Sequence, residues 1–255
     1  MRCPTVDKNQ DVIKFFEGAS MKKVVVLQSN YIPWKGYFDL IHDADVFIFY
    51  DDVQYTKNDW RNRNKIMMAG GPKWLTIPTG TNANRLICEV ELTDTNWQAS
   101  HWESIKQNYR GSPFFKLYRR FFEDVYLARR WQSLSELNQH VIKSISSELL
   151  GIDVKFDDSR HYALTGQRLD RLIDLVRQTG ATHYISGPAA KSYIEEERFR
   201  DIGVQLVWKD YSGYPTYPQT PPPFDHGVSI IDLLFNTGPN AADMIWGWRG
   251  AKVEV

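Results

Sequence analysis

The residues of this sequence best suited to chemistry lie in four short runs. Gln28 and Asn30 follow the apolar run Val24 to Leu27, and Asp51 and Asp52 follow a second, Val46 to Tyr50. Arg61 and Arg63 alternate with Asn62 and Asn64, and Ser186, Gly187 and Pro188 close a third run that begins at Thr182. In an extended segment, residues two apart share a face. The two arginines then make a guanidinium face suited to phosphate or carboxylate, because each can offer two parallel hydrogen bonds. The structural use of the same pair is a solvated loop whose guanidinium groups bind Asp51 and Asp52. The sequence accommodates both uses.

Asp51 and Asp52 are adjacent, so in a continuing strand they point to opposite faces and one of them enters a given site. Asp51 is the expected general base, a carboxylate able to take the proton of an amine nucleophile. Its structural alternative is to cap the following turn or to pair with Arg61 or Arg63. Ser186, Gly187 and Pro188 fit a helix start running to about Phe199, with serine capping, glycine allowing close approach and proline in the first turn. Free N–H groups at such a start attract anions.

Other chemistries find less support. His42, His101 and His183 have no cysteine or serine partner that would build a nucleophilic triad. No histidine or carboxylate cluster has metal-binding spacing, and Asp157 with Asp158 is too common a pair to count. The run of a P-loop is missing, and the cofactor is left unknown.

The elements that must position these groups follow from the apolar patterning. Val24 to Leu27, a turn at Pro33 to Gly36, a helix through Tyr37, Leu40 and Ile41, and Val46 to Tyr50 form a strand, turn, helix, strand unit. In open parallel sheets ligands collect beyond the carboxyl ends of the strands, so Gln28, Asn30, Asp51 and Asp52 fall along one rim. Asn64 to Met68 and Trp74 to Pro78, around Gly70 and Gly71, predict an antiparallel hairpin, and Ile87 to Leu92 predicts another strand. Residues 97–150 predict a helical block, continuous from Phe114 to Leu150, whose aromatic side chains serve packing. Strands at Val154 to Phe156, Thr182 to Ser186 and Gly203 to Trp208 and a helix at Gln167 to Gln178 complete a second α/β segment. Tyr211 to Phe224, rich in tyrosine and proline, predicts an extended loop, because proline lacks the backbone donor that regular structure requires. Ser229 to Phe235 predicts a last helix. The fold class is α/β, with a Rossmann-like parallel-sheet core, a β-hairpin insertion and the helical block, in a single domain over residues 21–250.

Composition narrows the partners. The chain has 255 residues, 42% of them hydrophobic, enough to bury a large core. Thirty-one basic residues balance 31 acidic ones, which disfavours nucleic acid. Nine tryptophans exceed what a core ordinarily takes, and such an excess often lines ligand sites. Cys3 and Cys88 form no disulfide framework. No run reaches the length of a membrane span, and residues 1–20 lack the apolar core of a signal peptide. They read as an N-terminal extension ahead of Met21, and the chain as a cytoplasmic protein.

Four blocks in order, QSNYIPWKGYFDLIHDADVFIFYDDVQYTKNDWRNRNKI, THYISGPAAKSYI, YPTYPQTPPPF and VSIIDLLFNTG, resemble the WbqC-like protein family of bacteria, from about Met21 to Gly238. Members of that family are associated with O-antigen and other surface-polysaccharide clusters and are described as glycine or aminoacyl transferases acting on amino sugars. The resemblance implies transfer of an acyl or aminoacyl group to an amino sugar in surface-polysaccharide biosynthesis. The residues' own chemistry, amides and phenols for a sugar and guanidinium groups with a helix start for phosphate, makes a nucleotide-linked amino sugar the expected acceptor and an activated donor, free or carrier-bound, its partner. The motif positions it carries over are Gln28, Asn30, Tyr31, Pro33, Trp34, Gly36, Asp51, Asp52, Gln54, Tyr55, Trp60, Arg61, Arg63, Ser186, Gly187, Tyr193, Tyr217 and Gln219. The rival reading is a non-catalytic module that binds a sugar nucleotide or a carrier protein; the lack of an evident nucleophile favours it. A third is an adenylate-forming ligase. Tyr31 to Ile41 looks like the start of adenylyl-transferring Rossmann-like enzymes, but Trp34-Lys35-Gly36-Tyr37 stands where they have H-x-G-H, without the two phosphate-binding histidines.

Overall fold

The computed structural model describes residues 21–94 and 96–252; the expected extension at residues 1–20 lies outside them. In chain order the first half comprises β1 (Lys23–Leu27), α1 (Lys35–His42), β2 (Val46–Phe49), β3 (Arg63–Met68), β4 (Gly71–Thr76), α2 (Asn96–Tyr109), α3 (Phe115–Glu123) and α4 (Leu134–Ser144). The second half comprises β5 (Lys155–Asp158), α5 (Arg168–Gln178), β6 (His183–Ser186), α6 (Glu196–Asp201), β7 (Gln205–Trp208) and α7 (Ile230–Thr237).

Five strands form one sheet in the order β5-β2-β1-β6-β7, every pair parallel, while β3 and β4 make a separate antiparallel hairpin. The central strands are apolar on both faces because helices cover both. Val24, Val26, Val46, Ile48 and Tyr184 pack with Leu172, Leu175 and Val176 of α5 and Phe199 of α6. Val25, Phe47, Phe49 and Ile185 point the other way, into the larger core that contains α1, α7 and the helical block. After β5 the chain returns past β1 to lay down β6. The sheet therefore has a crossover between β1 and β6, the place where an open parallel sheet leaves a crevice.

Two expectations about the first 150 residues need correction. Ile87 to Leu92 is not a strand: Ile87–Glu89 makes a single tight helical turn, and pairing nearby is confined to isolated bridges, Gln54 with Leu86 and Glu91 with Ser133. The helical block is interrupted at residues 129–133, where Ser133 caps α4 by accepting a hydrogen bond from the Glu136 N–H. Its apolar spacing continued across the break because Trp131 is buried there, its indole N–H bonded to the Val125 carbonyl at 2.8 Å.

The hairpin is fastened to the β1 exit loop by the asparagine face. Asn64 Nδ2 donates to the Tyr31 and Ile32 carbonyls at 3.1 and 3.0 Å, and Asn62 Nδ2 to the Ile77 carbonyl at 2.9 Å. Ile32 is held at φ 37°, a left-handed conformation unfavourable for a β-branched residue. Tyr31 is buried behind it, its hydroxyl 2.8 Å from His101 Nδ1 and 2.6 Å from the Tyr126 hydroxyl.

Burial pushes the His101 imidazole down to about 4, against a smaller upward pull from a backbone hydrogen bond. The unfolded chain, with an ordinary imidazole near 6.5, takes up this proton first. His101 therefore contributes stability above about pH 6.5 that is lost as the pH falls through about 4. Thermal melts between pH 7 and 4 are expected to show a shallower decline for His101→Gln, which still bonds Tyr31 and does not titrate. Parallel declines for the two proteins would contradict the assignment.

Candidate functional site

At the crossover a cavity of about 620 Å³ opens beyond the carboxyl ends of the strands. Val26, Leu27 and Gln28 form its floor, Tyr50, Tyr184, Leu169 and Leu172 its walls, and Arg168, Tyr193 and Glu195 its rim. Apolar and aromatic walls with a few polar groups are the usual make-up of a small-molecule site. Arg168 opens α5 at φ 51°, another strained position, and has no ion-pair partner among the described residues. Gln167 offers α5 no side-chain cap; its carbonyl takes the Asp170 N–H at 3.1 Å, and the Arg168 and Leu169 N–H groups of this eleven-residue helix stay available beside the guanidinium. An anion is favoured there by both.

Gln28 links this cavity to a recess of about 40 Å³ bordered by Gln54, Thr56, Asp59 and Arg61. Its amide oxygen accepts a hydrogen bond from Arg61 Nη1, and its backbone carbonyl accepts one from the Tyr37 hydroxyl at 3.0 Å. Arg61 Nη2 donates to Asp59 Oδ2 at 2.8 Å. The structure thus brings Gln28, Gln54 and Arg61 together. Arg63 shares the outward side of the chain with Arg61, as alternation requires, but lies over the Trp74 ring at 4.3 Å and lines neither cavity.

The carboxylates at the strand ends are tied. Asp51 is 0% exposed; its Oδ1 accepts from the Ser29 N–H at 2.8 Å, and its Oδ2 from the Ser135 hydroxyl and from Gln139 Nε2 at 3.2 Å. Asp52 points the opposite way, as its neighbour's position demands, and binds Ser159 and Arg171, the latter at 2.7 Å. Gln139 Nε2 also donates to Asp158 Oδ2 at 2.9 Å. Burial raises the Asp158 carboxyl, but hydrogen bonds from the Arg160 side chain and backbone and from Gln139 outweigh it and hold the group at about 2.

The remaining motif residues disperse. Ser186 and Gly187 lead into a short tight-turn helix, Pro188–Ser192, and not into an α-helix; α6 begins only at Glu196. Proline in a first turn suits either kind of helix, which is why the pattern misled. Gly187 does permit close approach, since a Cβ there would stand 3.3 Å from the Tyr211 hydroxyl. Asn30 is half-buried with its Oδ1 unpartnered, and Tyr55 bonds Thr79 at 2.9 Å. Trp34 lies so close over Gly36 that any Cβ there would clash at 2.2 Å. Tyr217 and Gln219 donate to Asp232 Oδ1, both at 2.7 Å, and Tyr109 donates to its Oδ2 at 2.9 Å. Asp39, His42 and Asp43 bring potential ligand atoms within 4.8 Å of one another, but Lys209 lies against both carboxylates and Arg249 against that of Asp39, taking the place of a cation.

Sequence reasoning missed Arg168 and Glu195, which carried no motif, and Lys35. Lys35 is 2% exposed, and its ammonium has no hydrogen-bond acceptor, facing the rings of Tyr214, Tyr217 and Phe224 at 4.8, 5.5 and 5.9 Å. A lysine in the apolar start of α1 was the available signal. Burial pushes this amine down to about 8, against an upward pull from Asp232. At pH 7 the folded protein carries the cost of the enclosed charge; as the pH rises from about 8 toward 10.5 it sheds the proton while the unfolded chain keeps it, so stability rises. Lys35→Met is expected to raise Tm by roughly 5 °C at pH 7, a gain that shrinks toward pH 10. A gain that grows with pH would refute the assignment.

Residues 28–244 match the WbqC-like protein family. The uncharacterized protein Rv1507c of Mycobacterium tuberculosis is 42% identical over 227 residues, which cover 88% of this chain and 98% of that protein. No solved structure matches significantly.

Proposed function

The chain belongs to the WbqC-like protein family, and we propose that it transfers an acyl or aminoacyl group, glycine among the candidates, to the amine of a nucleotide-linked sugar in surface-polysaccharide biosynthesis. The observation that supports this reading is the crossover cavity, where tyrosine faces and the Gln28 amide meet the free Arg168 guanidinium at the uncapped start of α5. Rings and amides suit a sugar or a base, and a guanidinium with free backbone N–H groups suits a diphosphate. A nucleotide-linked sugar presents both. Among the described residues no helix is long and apolar enough to cross a membrane, and a nucleotide-linked substrate with an activated donor fits a cytoplasmic reaction.

In this reading the residues divide the work as follows. Arg168 and the α5 start hold the phosphates, and Tyr50, Tyr184 and Tyr193 flank the base or sugar. Arg61, steadied by Asp59, orients Gln28 toward the reacting group. The sugar amine attacks the donor carbonyl, the new C–N bond forms as the donor's leaving group departs, and Glu195 at the rim accepts the amine proton. That role falls to Glu195 because Asp51 is enclosed and its oxygens are occupied. Asp51 is a positioning residue here. The same closed geometry also favours the second reading, a module that binds the sugar nucleotide without turning it over.

Two measurements separate these. In calorimetric titration with a uridine-diphosphate amino sugar, Arg168→Ala is expected to weaken binding roughly tenfold or more, the worth of a charge-assisted hydrogen bond, with Tm unchanged. Unaltered affinity would remove the cavity from consideration. With an activated glycyl donor added, mass spectrometry should show one acyl group gained by the sugar in the wild type and little gain with Glu195→Gln, whose binding persists. Binding without any product from the wild type would leave only the module.

A further inference from the structure

The tip of the polar run before β3 and the strand β4 together expose two indoles, Trp60 at 40% and Trp74 at 43%. Their centroids are 5.3 Å apart and their planes are tilted by 47°. Most of the other aromatic rings lie in the core. This pair faces solvent, although exposing large apolar rings is unfavourable unless something covers them.

The rings are held in place. The Trp60 N–H donates to Asp59 Oδ1 at 2.7 Å and its carbonyl accepts from the Tyr31 N–H at 2.9 Å, so its backbone is fixed on both sides. Trp74 stands directly opposite Lys65 in the hairpin, with Arg63 stacked on its ring at 4.3 Å. Arg63 has no ion-pair partner among the described residues, and its buried Nε has no hydrogen-bond acceptor. Its neighbours on the same side are committed, Arg61 to Asp59 and Lys65 to Asp225. An uncommitted guanidinium thus lies over one of two adjoining, exposed indoles.

We propose that Trp60, Trp74 and Arg63 form a binding platform for an acidic oligosaccharide, separate from the crossover cavity. Sugar rings present flat C–H faces that pack on indoles, and a carboxylate or phosphate on the sugar meets the guanidinium in paired hydrogen bonds. The tilt between the indoles suits successive sugar rings, which change orientation across a glycosidic bond. It does not suit a parallel stack of bases. A single stacked guanidinium is also too little for a polyphosphate backbone, whose binding rests on neutralising many charges. Acidic peptides carry their charge on flexible stems with no flat face to lay on the rings. The platform goes beyond the transferase reading and stands without it, since none of its residues lines the cavity.

The test is calorimetric titration of the full chain with oligogalacturonate, neutral maltohexaose and oligothymidylate. The acidic saccharide is expected to bind at least tenfold more tightly than the neutral one. Trp60→Ala with Trp74→Ala should cost at least tenfold in that affinity, with circular dichroism showing the fold retained because neither ring belongs to the core. Arg63→Gln should bring the acidic and neutral affinities together. The proposal is overturned if oligogalacturonate does not bind, if the double variant binds it as well as the wild type, or if oligothymidylate binds more tightly than either saccharide. The same double variant is expected to bind the nucleotide sugar as the wild type does, so that failure of the platform and failure of the cavity are told apart.

Discussion

The Asp51 carboxylate is the constraint on which the upper edge of the sheet depends. It stands just past β2, yet its partners are the β1 exit at Ser29 and two residues of α4, Ser135 and Gln139. Gln139 carries the connection on to Asp158 at the end of β5. A single enclosed group therefore ties three adjacent strand ends to the helical block. A buried polar network is stabilising only when its members are satisfied, because each orphaned donor or acceptor costs about 1–3 kcal/mol. Losing Asp51 would leave the Ser29 N–H and the Ser135 hydroxyl without their acceptor, and Gln139 held at the sheet edge by Asp158 alone.

The exit loop that this tie anchors is a strained piece of backbone fixed from two sides. Ile32 adopts its left-handed conformation while Asn64 holds the carbonyls of Tyr31 and Ile32, and the Trp60 carbonyl takes the Tyr31 N–H. The hairpin insertion is thus the clamp that sets where Gln28 and Trp60 stand. Gln28 reaches the cavity through this loop, and Trp60 reaches solvent from the other side of the same contact. Core packing passes directly into the positions of the ligand-facing groups.

The regular elements were legible in the sequence because their signals are local. Unbroken apolar runs at Val24 to Leu27 and Val46 to Tyr50 report a sheet covered on both faces, and alternation at Arg61 to Asn64 reports one outward and one inward side. What was not legible depends on distant partners. Nothing near Asp51 announces that Ser135, 84 residues later, will close over it. Ile87 to Leu92 is apolar enough for a strand, but among the described residues it meets only isolated bridges and no strand that runs beside it. Ser186 to Pro188 reads equally well as either kind of helix start. Arg168 and Glu195 carry no local pattern, since a rim residue is defined by the cavity it borders.

A sorting of charges by partner then explains why the motif-rich stretch and the most available chemistry do not coincide. Asp39, Asp51, Asp52, Asp158, Arg61, Arg171, Lys209 and Arg249 are all committed to one another or to buried polar groups, and their work is to hold the fold. Arg63, Arg168 and Lys35, by contrast, have no acidic contact at ion-pair distance among the described residues. Arg168 is exposed, where an unpaired guanidinium costs little, and Arg63 is half-buried with its Nε unpartnered; both can bind an arriving anion. The third is enclosed, where its cost is drawn from the stability of the whole chain and only aromatic faces offset it. Partnered charges build the frame, and it is the unpartnered ones that remain available to a ligand.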